Sequence, residues 1–179
     1  MGPPGALLRR ISEVVCSLPE SEFVSVDRLL EAEVARSSPL GAIVARAGRQ
    51  GTAVPDAAVL QVLRHWFWSL RSGRGFVLAG FPASAFQASV FDAWMEERDA
   101  ALSGAIWLDQ SSGDAAAGAA TAEDRRRIET WFAVQARGVR QAAAHYRLQG
   151  NLIRVDGAIP EEAILNQLSE QLSGLVADR

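Results

Sequence analysis

The residues Phe76-Val77-Leu78-Ala79 form a continuous apolar run, bounded by Gly73-Arg74-Gly75 on one side and Gly80-Phe81-Pro82 on the other. A short run without polar alternation suits a strand covered on both faces, the situation of strands in parallel sheets flanked by helices. Two further runs, 105–108 and 151–155, and the shorter Phe23-Val24-Ser25-Val26 repeat the signal. Each is separated from the next by segments of helical periodicity. Strands alternating with helices cannot be joined by hairpins, so the order predicts an α/β fold around a parallel sheet.

The helical segments are read from spacing and punctuation. Leu7, Ile11, Val14, Val15 and Leu18 predict a helix over 7–17, ended by Pro19. Asp27 is the expected N-cap of a helix through Leu29, Leu30 and Val34. Ser37-Ser38-Pro39 breaks it and starts another over 40–47, stopping at Gly48. Pro55-Asp56 opens a helix over 57–70, and further helices are expected over 83–98, 123–146 and 160–176, the last with Pro160 near its first turn. The Ala/Gly/Ser-rich span 111–122 has no apolar face and reads as a flexible connector. The expected organisation is a single domain over 1–179, with 27–72 as a helical subregion.

Composition removes several function classes. With 49% hydrophobic and 22% charged residues the chain is globular rather than disordered. Its net charge of −3 supplies no basic field for a nucleic-acid backbone. One cysteine, Cys16, beside Val14 and Val15, rules out an internal disulfide framework and reads as a buried thiol in a reducing compartment. No apolar run approaches a membrane span, and Glu13 and Pro3-Pro4 spoil any secretory signal. A soluble intracellular protein is expected.

The chain opens Met1-Gly2-Pro3-Pro4-Gly5-Ala6, like the front of a phosphate-binding loop, and all 18 of its basic residues are Arg. Such a loop cradles phosphates with backbone N–H groups, reaches the β/γ-phosphates with a Lys and holds Mg²⁺ through the next Ser/Thr. Here those positions fall on Leu7, Leu8, Arg9 and Arg10, and no Lys exists elsewhere in the sequence.

Four stretches taken together resemble the adenylate kinases, the nucleoside monophosphate kinase family, over essentially the entire chain. They are Gly2-Pro3-Pro4-Gly5; residues 25–34 followed by Leu40-Gly41; residues 75–82 with Gln87 downstream; and Tyr146, Gly150 and Val155-Asp156-Gly157 leading to Pro160. The resemblance implies a P-loop NTPase-type three-layer architecture, an adenylate-kinase-like parallel sheet between helices. It also implies where the chemistry has gone. The loop Lys position is Leu8 and the glycine before it is Leu7; the phosphate-binding Arg of the monophosphate segment is Glu31; the metal-supporting acid is Ala79; the Arg after the Gly-Phe-Pro turn is Ala83. The family's lid would fall in 111–122, which carries no Arg. Gly2, Gly5, Arg9, Arg10, Gly80, Gln87 and Arg127 remain as residual nucleotide-binding candidates, Gln87 being the residue that reads adenine in the family. Solvated helix faces are the ordinary alternative for Arg9-Arg10 and for Arg125-Arg126-Arg127. The family's central strand precedes its phosphate loop, where this sequence has only Met1, so a first central strand is expected to be missing, and the lid reduced.

These losses predict a catalytically degenerate protein, a pseudokinase serving as a structural or scaffolding subunit. No catalytic residue and no metal site are expected. ATP and AMP with Mg are expected as ligands only if activity is retained, as in the alternatives of a divergent ATP:AMP phosphotransferase or a non-catalytic AMP sensor. Protein partners that supply or cover a strand near Phe76 and Ala79 are expected. Adenylate-kinase-like domains occur in cytoskeletal and ciliary assemblies, which makes such a complex one expected setting. His65 and His145 lack neighbouring ligands for a metal. Trp66, Phe67 and Trp68 cannot all face one core from a helix, so an outward ring is a partner-binding candidate. Asp92, Glu96, Glu97 and Asp99 read as a solvated acidic face.

Overall fold

The computed structural model describes residue 11 and residues 21–71, 75–117, 119–160 and 162–168. Its elements follow the expected alternation: β1 (Ser21–Ser25), α1 (Val26–Ala35), α2 (Pro39–Gln50), α3 (Asp56–Ser69), β2 (Gly75–Ala79), α4 (Ala85–Glu97), β3 (Ala105–Asp109), α5 (Ser112–Ala117), α6 (Ala122–Val134), α7 (Ala136–Gln149) and β4 (Leu152–Asp156). A further helix, α8, covers 162–168. All pairing is parallel. β1 pairs β2 with Ser21 opposite Gly75, and β3 pairs β4 with Ala105 opposite Leu152. The two pairs are separate sheets, and among the described residues no strand joins β2 to β3.

Three cores hold these layers. The largest joins α1, α3 and α4 through Leu30, Leu63, Phe67, Phe91 and Met95, with Phe81 from the turn after β2. Each such side chain contributes roughly 1.5–3 kcal/mol when fully buried. A second gathers Leu108 and Val155 from β3 and β4 with Ile11, Ile164 and Leu168, and Val77 of β2 packs against it. Val77 therefore ties the two sheets together through a side chain rather than a backbone ladder. In the third, Ala88 on α4 meets Val139, Ala142, Ala143 and Tyr146 on α7. The small residues let these helices approach closely, and Gly138 marks the tightest point: a Cβ there would fall onto the carbonyl oxygen of Ala83.

Several boundaries differ from the sequence reading. Ser25, not Asp27, caps α1, its Oγ accepting from Arg28 N at 3.4 Å, because β1 runs directly into the helix and leaves Asp27 in the first turn. α2 passes through Gly48 and ends at Gly51, whose φ of +62° is the left-handed geometry that glycine takes without strain. β2 is half-buried along 76–79, not enclosed on both faces, consistent with its pairing to β1 alone among the described residues. The span 111–122 is not a plain connector: α5 lies inside it, and Ala115 and Ala116 are buried against the fold. The helix expected over 123–146 is two helices, redirected at Gln135 (φ −113°, ψ −24°) so that Ala136 and Val139 turn inward. The expected helix over 7–17 and the end of that over 160–176 lie outside the described residues, apart from Ile11, which is helical and buried.

Candidate functional site

Ligands of open parallel α/β folds bind beyond the carboxyl ends of the strands. At those ends this chain places Asp27, Gly80, Asp109 and Asp156 with the turns that follow. The centre of the arrangement is Gln87, in the first turns of α4 and only 1% exposed. Its Oε1 accepts from the backbone N–H of Ala83 at 2.8 Å, and its Nε2 donates to Asp56 Oδ1 at 2.7 Å. Ser84, the N-cap of α4, accepts from Gln87 N at 3.1 Å and donates its hydroxyl proton to Asp56 Oδ2 at 2.8 Å. One carboxylate at the start of α3 thus holds two side chains at the start of α4. Among the described residues no buried side-chain polar atom lacks a partner.

The turn between β2 and α4 is similarly engaged. Gly80 has φ +79°, and a Cβ there would lie 3.7 Å from Asp27 Oδ2. Asp27 as a whole residue is exposed, but its carboxyl group is tucked against this turn. Burial of that head raises its pKa above the ordinary carboxylate value, the charge of Glu31 raises it further, and Arg127 pulls it down. Arg127 belongs to α6. Farther along the same edge, Arg154 Nε donates to Asp109 at 2.9 Å, and Asp156 accepts from Ala158 N at 2.9 Å.

Of the sequence candidates, Ala79 ends β2, Gly80 lies in the turn after it and Gln87 at the start of α4, bonded to the backbone N–H of Ala83, while Glu31 on α1 and Arg127 on α6 act on Asp27 only electrostatically. Gly2, Gly5, Leu7, Leu8, Arg9 and Arg10 lie outside the described residues. Phe67 is a core residue, 1% exposed, and so offers nothing to a partner. Trp66 donates its Nε1 proton to Glu22 at 3.0 Å, and Trp68 is the outward ring, 40% exposed, with the Arg98 guanidinium 5.9 Å from its centroid. His65 hydrogen-bonds the Gln61 carbonyl of its own helix, and among the described residues no group of three His, Cys, Asp or Glu side chains is arranged for a metal. Asp92 does not belong to a solvated face. Its carboxylate turns into the α4–α7 seam, meeting His145 Nε2 at 2.6 Å and Gln149 Nε2 at 2.8 Å.

Sequence reasoning missed Asp56, read only as a helix opener, and Asp27 as a group facing the turn. Nothing local announces a contact between residues 31 positions apart. The single available signal was a buried-helix Gln, which must find partners when it goes inside.

Parallel strand pairs joined through crossover helices define an α/β protein. The comparisons name the particular relatives. Over 180 residues the chain is 27% identical to the adenylate kinase of Xanthomonas campestris pv. campestris (strain B100), covering 96% of each, and it matches that of Xanthomonas oryzae pv. oryzae (strain MAFF 311018) to the same extent. It is 32% identical over 109 residues to the adenylate kinase of Prochlorococcus marinus (strain MIT 9303), covering 61% of this chain and 59% of that protein. No protein-family profile matches. The chain is an adenylate-kinase-like protein. Among the described residues no helix is long and apolar enough to cross a membrane.

Proposed function

We propose that this adenylate-kinase-like protein is a pseudokinase, a catalytically degenerate chain that serves as a structural subunit of a protein assembly. The observation that carries the reading is the state of Gln87: its amide is bonded at both ends within the chain and is 1% exposed. Around it the charge has the wrong sign for phosphate, with Asp27 and Glu31 where phosphoryl transfer needs cations, and Ala79 and Ala83 supplying none. The absence of any Lys from the sequence points the same way. Loss of a single transition-state Arg costs roughly 10³–10⁵ in rate, so several such changes together leave little catalysis.

A scaffolding role is supported by the separation, among the described residues, of the β1–β2 and β3–β4 pairs, which suits a partner that supplies or covers a strand beside Phe76 and Ala79. The named relatives are bacterial, which lends no weight to a ciliary setting, so the proposal is an assembly without a specified compartment. The second reading, a divergent ATP:AMP phosphotransferase using Arg9 or Arg10 in place of Lys, is favoured by similarity across 96% of the chain to proteins of that name. A coupled ADP-formation assay separates the two. The proposal expects no turnover; turnover abolished by Arg9→Ala would overturn it.

A further inference from the structure

The seam between α4 and α7 holds a polar arrangement that the candidate site does not use. Asp92 on α4 meets His145 and Gln149, one turn apart on α7, and three of their atoms form a triangle. Asp92 Oδ2 lies 2.6 Å from His145 Nε2 and 2.8 Å from Gln149 Nε2, and the two nitrogens are 3.1 Å apart. Protons alone do not satisfy all three edges. With a proton on His145 Nε2, that N–H donates to Asp92, but the Gln149 amide N–H groups then face a second donor. With the proton on the other ring nitrogen, Gln149 donates to both neighbours, but the imidazole lone pair faces a carboxylate lone pair at 2.6 Å. Turning the Gln149 amide over sets its oxygen against the carboxylate instead.

We propose that Asp92, His145 and Gln149 bind a divalent first-row transition-metal ion, with the Gln149 amide turned so that its oxygen is the third ligand. A cation beside the triangle makes all three edges favourable, because each atom then presents a lone pair to it. The size fits as well. Bonds of about 2.1 Å to nitrogen and oxygen, set at right angles, place neighbouring ligands about 3.0 Å apart, whereas a tetrahedral set needs about 3.4 Å. The triangle therefore matches one face of an octahedron, with water on the opposite face. The His145 and Asp92 side chains keep 25% and 21% of their surface exposed, so an ion can enter. One imidazole with two oxygen donors suits nickel, zinc or copper better than the all-oxygen cations calcium and magnesium. Tyr146, 1% exposed, braces the site from behind: it packs edge-on against the His145 ring, centroids 5.2 Å apart, and hydrogen-bonds Asp92. Such an ion clasps α4 to α7, and the inference stands apart from the pseudokinase reading.

The test is calorimetric titration of NiCl₂ into the tag-free full chain and into His145→Asn, Asp92→Asn, Gln149→Ala and His65→Asn, each checked for folding by circular dichroism. The sequence has only two His and one Cys, so competing sites are few. Wild type is expected to bind one ion and to show a raised Tm in its presence, since a ligand of the folded state alone stabilises it. His145→Asn and Asp92→Asn are each expected to weaken binding at least ~10-fold and to remove the rise in Tm, and Gln149→Ala to weaken it about 10-fold. His65→Asn should leave both readouts unchanged. Gln149 is exposed, so its variant keeps the test decisive if a change at Asp92 or His145 unfolds the chain. No binding by wild type at about 1 mM nickel overturns the site. Binding as tight as wild type in folded His145→Asn or Gln149→Ala overturns it too, as does an equal loss in His65→Asn, because the ion then sits elsewhere.

Discussion

Replacing Asp56 with alanine removes the one group on which the start of α3 and the start of α4 converge. The carboxylate accepts from Gln87 Nε2 at 2.7 Å and from Ser84 Oγ at 2.8 Å. Hydrogen bonds to a charged group contribute about 1.5–3 kcal/mol each, and a buried donor left without an acceptor costs about 1–3 kcal/mol. Ser84 can rotate its hydroxyl elsewhere, whereas Gln87, 1% exposed, has no water to turn to. Allowing for two bonds that share one acceptor, and for roughly 0.5 kcal/mol from a negative charge in the first turn of α3, the expected loss is about 3–4 kcal/mol. Asp56→Asn, which keeps one acceptor oxygen, is expected to cost about 1–2 kcal/mol. Urea unfolding followed by Trp fluorescence measures both, and the slope with denaturant should not change. A double-mutant cycle with Gln87→Ala isolates the pair and should give a coupling of about 1.5–2 kcal/mol. Loss below about 1 kcal/mol, or additivity within about 0.5 kcal/mol, would refute the reasoning that this carboxylate holds Gln87.

Two other outcomes follow from the α4–α7 seam. Tyr146 is the single tyrosine of the sequence and is 1% exposed; burial, then the nearby Asp92 carboxylate, pushes its pKa well above the ordinary tyrosine value. Above about pH 10 the unfolded chain loses this proton while the native chain keeps it, so stability falls as pH rises through that range. Absorbance at 295 nm should show tyrosinate only as the protein unfolds, and a native-state titration near pH 10 would contradict the burial argument. Gly138→Ala sets a methyl group on the Ala83 carbonyl and should cost about 1–3 kcal/mol, read as a lowered Tm, with no comparable loss for Gly113→Ala on α5, where a Cβ meets only Ser111 Oγ at 3.8 Å.

The strand–helix alternation was legible because apolar runs such as 76–79 and 105–108 are bounded by Gly and Pro, and because Pro39 and Pro55 mark helix starts. The resemblance over the whole length was legible for the same reason, since the landmark turns keep their order. What escaped the sequence was tertiary. Ala115 and Ala116 become buried only when α5 packs, and in an alanine-rich span no periodicity distinguishes an inward face. The break at Gln135 interrupts a pattern that continues smoothly in the residues themselves. Asp92 carries no local sign that it will turn toward His145, 53 residues away. Of the candidate site, Gln87 and Gly80 were named from the resemblance, but the carboxylates of Asp56 and Asp27 that lie against them were invisible, because both sit in helix first turns where an acid needs no other reason to be.

The division of the strands into two parallel pairs also has a mechanical meaning. Each pair is a five-residue ladder of backbone bonds loaded together, whereas the join between them, among the described residues, consists of Val77 against the second core and the α4–α7 seam. Side-chain packing yields piecemeal, contact by contact, while a ladder under shear must break its bonds at once. Tension applied across the molecule should therefore open the seam first and leave both ladders whole, so that a subunit carrying load in an assembly would gape reversibly instead of unravelling.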